Sequence, residues 1–355
     1  MRLTVDRLEL YRAAGPLGAA IDPPAHPDSP AGLVTLVAAG RILSLIRADA
    51  DVSATAVVRA DVAAPGAVTV RASVLNANAR HTPSGPLAIE AEAGWVAFAS
   101  AAGRVRTEAV DHRFAPTGIE GPATPWERIQ DMEVTARRVG TGVGRPADDL
   151  DLVGFAPGPV LVSSSGRRLV VVGRPNGSRR PVTVAPARVV RAAGRAGGPF
   201  DIAAGPDFLS LAGEWLTVTA RTARATLLHE FRRVARLAGD RWTCQVEGRP
   251  FAAAVRAVVA ADGGSLADRP VVLRVRGRRL TLTSFDPDLG DTGSEIRAVS
   301  GSPDARLHAV AYAGHLVDFA LTGGRLVRLS WDDGHTILLS SDGDYQCLTQ
   351  TIETR

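Results

Sequence analysis

A glycine-arginine turn that runs into an alternating apolar strand occurs three times in this chain. It reads GRILSLIR at 40, GRRLVVVG at 166 and GRRLTLTS at 277, so the copies start 126 and 111 residues apart. Units of that size are tandem globular domains rather than solenoid repeats, which run to about 20–50 residues. A strand-like run precedes each copy: GLVTLVAA at 32–39, GPVLVSSS at 158–165 and RPVVLRVR at 269–276. Two such runs joined through a short glycine-containing turn make a β-hairpin. Each hairpin is followed by a short strand and a helix-like segment that closes on glycine, at Gly85, Gly198 and Gly324. Glycine is favoured just past a helix C-terminus, where φ is often positive. A second hairpin then follows.

A further helix-like segment opens each unit, at 5–21, 132–144 and 247–263. Each unit therefore reads helix, hairpin, strand, helix, hairpin, which is α+β. The expected domains are 1–117, 118–243 and 244–355, with APTGIEGPATP at 115–125 as the first linker.

Length and composition fit this reading. The 355 residues suffice for two or three domains with their own cores, and 45% apolar against 22% charged residues describes a globular chain. All 41 basic residues are arginine, the plain result of a GC-rich coding bias. Guanidinium still forks onto phosphate oxygens, and a net charge of +4 permits a polyanion partner. Cys244 and Cys347 form no metal or redox motif and suit a reducing compartment. The N-terminus MRLTVDRLELYR has no apolar h-region, and no run approaches the roughly 18 apolar residues of a membrane span, so the expected location is cytoplasmic, nucleoid-associated if DNA is bound.

Several stretches, in order, resemble the bacterial sliding clamp, the β subunit of the replicative DNA polymerase. They are VTVAPARVVRAAGRAGG with FDIAAG, LLHEFRRV, LTLTSFDPDLGDTGSEI, AYAGHLVDFALTGG and DGDYQCLTQTI. The resemblance implies three clamp domains, each with two helices packed on antiparallel sheets, in a crescent that forms half of a ring. It implies a head-to-tail homodimer, a heterologous interface whose rotation closes. It also implies helices facing duplex DNA without sequence preference, and DNA polymerase or repair proteins docked through a clamp-binding peptide.

On that resemblance the candidate DNA-binding residues are Arg7 and Arg12 on the first helix, Arg71 and Arg80 on the second, Arg137, Arg138, Arg191 and Arg195 in the middle domain, and Arg256 in the third. Arg188 and Arg249 share the same helices. Arginine on one side of a helix and Ala/Val on the other suits packing on a sheet while presenting charge to phosphates, and it equally describes a solvated face. Arg80 and Arg195, near helix ends, are the first candidates for phosphate contact.

The implied peptide pocket comprises Gly177, Arg179, Arg233, Val234, Leu348 and Ile352. Ser178 stands where the family has histidine, its Pro-Asp-Tyr is missing between Phe231 and Arg232, and the tail reads LTQTI in place of a Met-Pro-Met type of ending. Each large apolar side chain lost removes about 1–3 kcal/mol of burial. The expectation is weak or altered binding of ordinary clamp-binding peptides.

Other chemistry lacks its residues. Gly140–Gly144 falls short of the G-x-G-x-x-G fingerprint. Asp286, Asp288, Asp291 and Glu295 miss the EF-hand spacing and read as a solvated loop. No H-x-x-x-H pair or G-x-S-x-G elbow occurs, so neither an enzyme nor a metal or cofactor is expected. The rival expectation is a clamp-like adaptor that has lost ring closure or the ordinary pocket.

Overall fold

The computed structural model describes residues 1–22, 29–110, 124–125, 127–143, 151–156, 158, 160–164, 168–173, 182–205, 207–222, 242–260, 265–267, 269–286, 290–331, 336–341 and 344–350. Within them, one order of elements (strand, helix, four strands, helix, three strands) occurs three times, the third time with an added two-residue strand, Ser300–Gly301. The helices among the described residues are α1 Arg7–Ala20, α2 Ala72–His81, α3 Met132–Gly140, α4 Ala187–Ala196, α5 Gly248–Ala260 and α6 Ala313–Thr322. The architecture is α+β, as expected from the sequence.

Contacts divide the chain into two units, Met1–Ala136 with Ala185–Ala223, and Arg137–Val184 with Arg224–Arg355. These are not the three sequence repeats, because neighbouring repeats share sheets. In the first unit, Val52–Ala64 of the first repeat pairs antiparallel with Leu216–Arg221 of the middle repeat, Val52 opposite Ala220 and Ala56 opposite Leu216. That ladder joins all 12 strands of the unit into one sheet. In the second unit, Arg168–Val172 of the middle repeat pairs with Tyr345–Gln350 of the third, from Arg168 opposite Thr349 to Val172 opposite Tyr345. The result is a nine-stranded sheet beside a separate four-stranded one. Beneath the junction, Val162, Leu169, Val171, Leu338 and Leu348 form an aliphatic core, as a chain with 5% aromatics requires.

Local chemistry explains the helix ends. Asp6 caps α1, its Oδ1 accepting from Leu8 N at 2.8 Å and Glu9 N at 3.1 Å. α1 contains Gly15, Pro16 and Gly18, poor helix formers, so the burial of Leu10, Ala13, Ala14 and Leu17 holds it in place. Gly197 closes α4 with φ of 71°. α2 departs from expectation: it ends at His81, well short of Gly85, because Thr82 precedes Pro83 and is held out of the helical region.

The largest departures are strands. Arg2–Asp6 and Val52–Ala64 were not anticipated, and Gly290–Arg297, expected as a solvated acidic loop, is a strand paired along Arg279–Asp286. Among the described residues Gly290–Arg297 has a neighbour on one side only, and its GDTGSEIR sequence lacks the apolar alternation that marks a strand buried on one face.

Cys244 and Cys347 are buried free thiols. Their strands are separated by Leu326–Trp331 and Thr336–Ser341, which puts them roughly 14 Å apart at the usual strand spacing, too far for a disulfide.

Candidate nucleic-acid interface

The helices of the first unit carry the candidate site. α1 buries one stripe and exposes Leu8, Tyr11, Arg12, Gly15 and Gly18, the i, i+3, i+4 spacing of a helix face. α2 buries Leu75 and Ala79 and exposes Arg80, while α4 buries Val189, Val190 and Ala193 and exposes Arg195. Arg12, Arg80 and Arg195 line one groove of about 1180 Å³, together with Arg59, Tyr11 and Trp215. Glu9 and Glu214 also line it, so the groove is basic on balance but mixed. A Cβ built at Gly15 would meet nothing within 4 Å, which leaves the helix backbone open to close approach there.

Other arginines are engaged within the protein. Arg7 donates through Nη1 to Ala79 O and through Nη2 to Ser84 Oγ, both at 3.1 Å, locking α1 to the end of α2. Arg138 donates from Nε to Thr322 O at 3.3 Å, with its guanidinium 5.2 Å from the Tyr345 ring centre. Arg188 is buried and bridges two carboxylates, Asp22 and Asp49, with 2.7 Å from Nη1 to Asp49 Oδ2. Asp49 also accepts from Asp51 N and Val52 N, so this guanidinium fixes the turn leading into Val52–Ala64. Arg71, Arg137, Arg249 and Arg256 are exposed, and Arg191 is half-buried. Of the pocket candidates only Leu348 is described, and it is buried in the junction core; Gly177, Arg179, Arg233, Val234 and Ile352 lie outside the described residues.

Arg59, Tyr11 and Trp215 were not anticipated from the sequence. Tyr11 lies on the same helix face as Arg12, a legible signal, whereas Arg59 and Trp215 reach the groove through strand pairings distant in sequence.

In the second unit, Tyr345 ties α3 to α6. Its ring stacks on Phe319 at 4.4 Å, and its hydroxyl lies 3.0 Å from both Thr141 Oγ1 and Thr322 Oγ1. Burial pushes the Tyr345 phenol up to about 12, despite hydrogen bonding with Thr141 and Thr322 that pulls it down. Burial likewise raises Cys244 to about 11 and Cys347 to about 12. These groups stay neutral at physiological pH.

No known protein-family model matches the chain, and no curated protein matches it in sequence. Solved structures do match, over 100% of this chain and of theirs. They include the DNA polymerase III subunit beta from Pseudomonas aeruginosa at 18% identity and a TM-score of 0.81. The DNA polymerase sliding clamp from Bacillus subtilis matches at 14% and 0.82. A DnaN sliding clamp from Bartonella birtlesii, bound to griselimycin, matches at 18% and 0.82. The fold is that of the bacterial sliding clamps. It is reached here with fewer than a fifth of the residues identical to any of these three.

Proposed function

We propose that this chain is a diverged sliding-clamp protein that closes head to tail with a second copy around duplex DNA and tethers a polymerase or repair partner to it. One observation carries the reading. The fourth strand of the first repeat pairs with the last strand of the second, and the fourth strand of the second with the last strand of the third. The same junction, used twice, leaves one half at each end of the series: the last strand of the first repeat, Gly103–Glu108, and the fourth strand of the third, Gly290–Arg297. Among the described residues, each is a free edge of its sheet. A second copy offers the complement to both, and pairing them removes two exposed edges. The arginine-lined groove of the first unit supplies sequence-independent phosphate contacts, which alone are salt-labile and which a closed ring converts into long residence. The solved clamps of this fold, named as DNA polymerase subunits, support the same reading.

Light scattering over a dilution series tests it. A chain of 37.1 kDa that closes with a second copy holds at about 74 kDa into the sub-micromolar range. Salt-resistant retention on nicked circles, lost when the circles are linearised, then reports encirclement. A monomer at every concentration overturns ring closure and leaves an adaptor.

A further inference from the structure

The third glycine-arginine turn has a consequence outside the helix groove. In the four-stranded sheet of the second unit, Arg276 lies opposite Arg279 across the turn, Arg276 opposite Arg306, and Arg279 opposite Arg297. Directly paired residues share a face, so the four arginines stand in one row, Arg306–Arg276–Arg279–Arg297, across all four strands. The row spans roughly 14 Å at the usual strand spacing. All four are exposed. The next row on that face holds His308, Arg274, Thr281 and Glu295, and Arg278 sits in the turn itself. The opposite face is covered by α5: Leu280 and Leu282 are buried there, and Thr292 Oγ1 donates to Val258 O of α5 at 3.0 Å.

Like charges directly opposite one another destabilise a sheet, so the row works against folding. Composition alone does not produce it. The corresponding row of the first repeat reads Ala39, Ile42 and Arg59. Among the described residues the row makes one ion pair, Arg279 Nη1 to Glu295 Oε1 at 3.8 Å, between side chains that are 75% and 56% exposed. Such a pair leaves most of the row's positive charge uncompensated.

We propose that this face is a second phosphodiester-binding surface, one that holds a nucleic-acid backbone on the side of the sheet away from α5. Evenly spaced guanidiniums on a rigid sheet match repeating phosphates, to which each can fork. His308 is the one aromatic ring in the two rows, and neither holds a Phe, Tyr or Trp platform on which successive bases stack, so the surface grips the backbone and reads no sequence. Nor does either row hold the apolar anchor that a docked protein segment uses. The surface is separate from the helix groove, and its two rows lie on one face of the sheet whether or not the backbone edge of Gly290–Arg297 is paired.

The test is fluorescence anisotropy with a labelled linear oligonucleotide, single-stranded and duplex, titrated over a salt series. Joint replacement Arg276→Gln, Arg297→Gln and Arg306→Gln leaves Arg279 with Glu295. It is expected to weaken binding at least about tenfold at low salt and to lower the log–log salt slope by about 2–3 for duplex. The corresponding triple Lys variant keeps the charge and is expected to keep the slope. Removing like charges should not lower the melting temperature, so lost binding at an unchanged melting temperature is not unfolding. Wild-type affinity and slope in the Gln variant overturn the proposal. So does polyglutamate binding that needs the row while oligonucleotide binding does not, since that assigns the surface to an acidic protein segment.

Discussion

Tyr345 shows how much of the second unit's cohesion rests on single side chains. Thr141 Oγ1 donates to Arg138 O and Thr322 Oγ1 to Asp318 O, each at 2.7 Å. With both threonine protons so used, the tyrosine proton is the one left for its two 3.0 Å neighbours and can satisfy only one of them at a time. The phenol and the two buried thiols also give stability a pH dependence with a definite sign. Each is raised in the folded state, Cys244 and Cys347 from 9.0 and Tyr345 from 10.0. The unfolded chain therefore releases protons first as pH rises, and stability present below pH 9 is lost above it. The loss is about 1.4 kcal/mol per pH unit for each group titrating in the unfolded chain only. Urea unfolding between pH 9 and 11 should show this decline, and Cys244→Ala should flatten it. Equal slopes in the two proteins would place the Cys244 titration outside the folding equilibrium.

At the scale of elements, the helices were legible and several strands were not. The helix-like segments of the sequence contain the six helices of the described residues, because helix-forming patterns are local. Gly290–Arg297 and Gly103–Glu108 were missed because an edge strand shows little apolar alternation, and Val52–Ala64 because seven of its thirteen residues are Ala, Ser or Thr. The helix arginines of the groove could be read from their faces, whereas Arg59 and the row Arg306–Arg276–Arg279–Arg297 depend on registers between distant strands. Helix contacts were equally invisible. A Cβ at Gly194 in α4 would lie 2.3 Å from the Ala136 Cβ in α3. In an open helix Gly→Ala stabilises by about 1 kcal/mol; here Gly194→Ala should instead destabilise by about 1–3 kcal/mol through overpacking. The double variant with Ala136→Gly should recover most of the loss in denaturant unfolding. A double variant no better than the single would move the strain elsewhere.

At the scale of the whole molecule, the last strand of a repeat occurs in two environments. The last strands of the second and third repeats, Leu216–Arg221 and Tyr345–Gln350, are each paired on both sides, and Leu216, Val218, Tyr345 and Cys347 are at most 1% exposed. The last strand of the first repeat, Gly103–Glu108, occupies the same place in the element order, yet among the described residues it is paired on one side only and leaves Val105 52% exposed. A second copy docked through this strand desolvates Val105. A carboxylate there, in Val105→Asp, loses its hydration on docking, and desolvating a charge at an interface that buries an apolar side chain costs several kcal/mol. The same carboxylate in the separate chain points into water. Val105→Asp should therefore shift the mass by light scattering from about 74 kDa toward 37.1 kDa, while the melting temperature of the dissociated chain stays put. Retention on nicked circles should fall with it, but binding to short linear duplexes should not, since Gly103–Glu108 contributes no residue to the groove or to the arginine row. A Val105→Asp protein that remains dimeric at sub-micromolar concentration would rule out this edge as the closing interface.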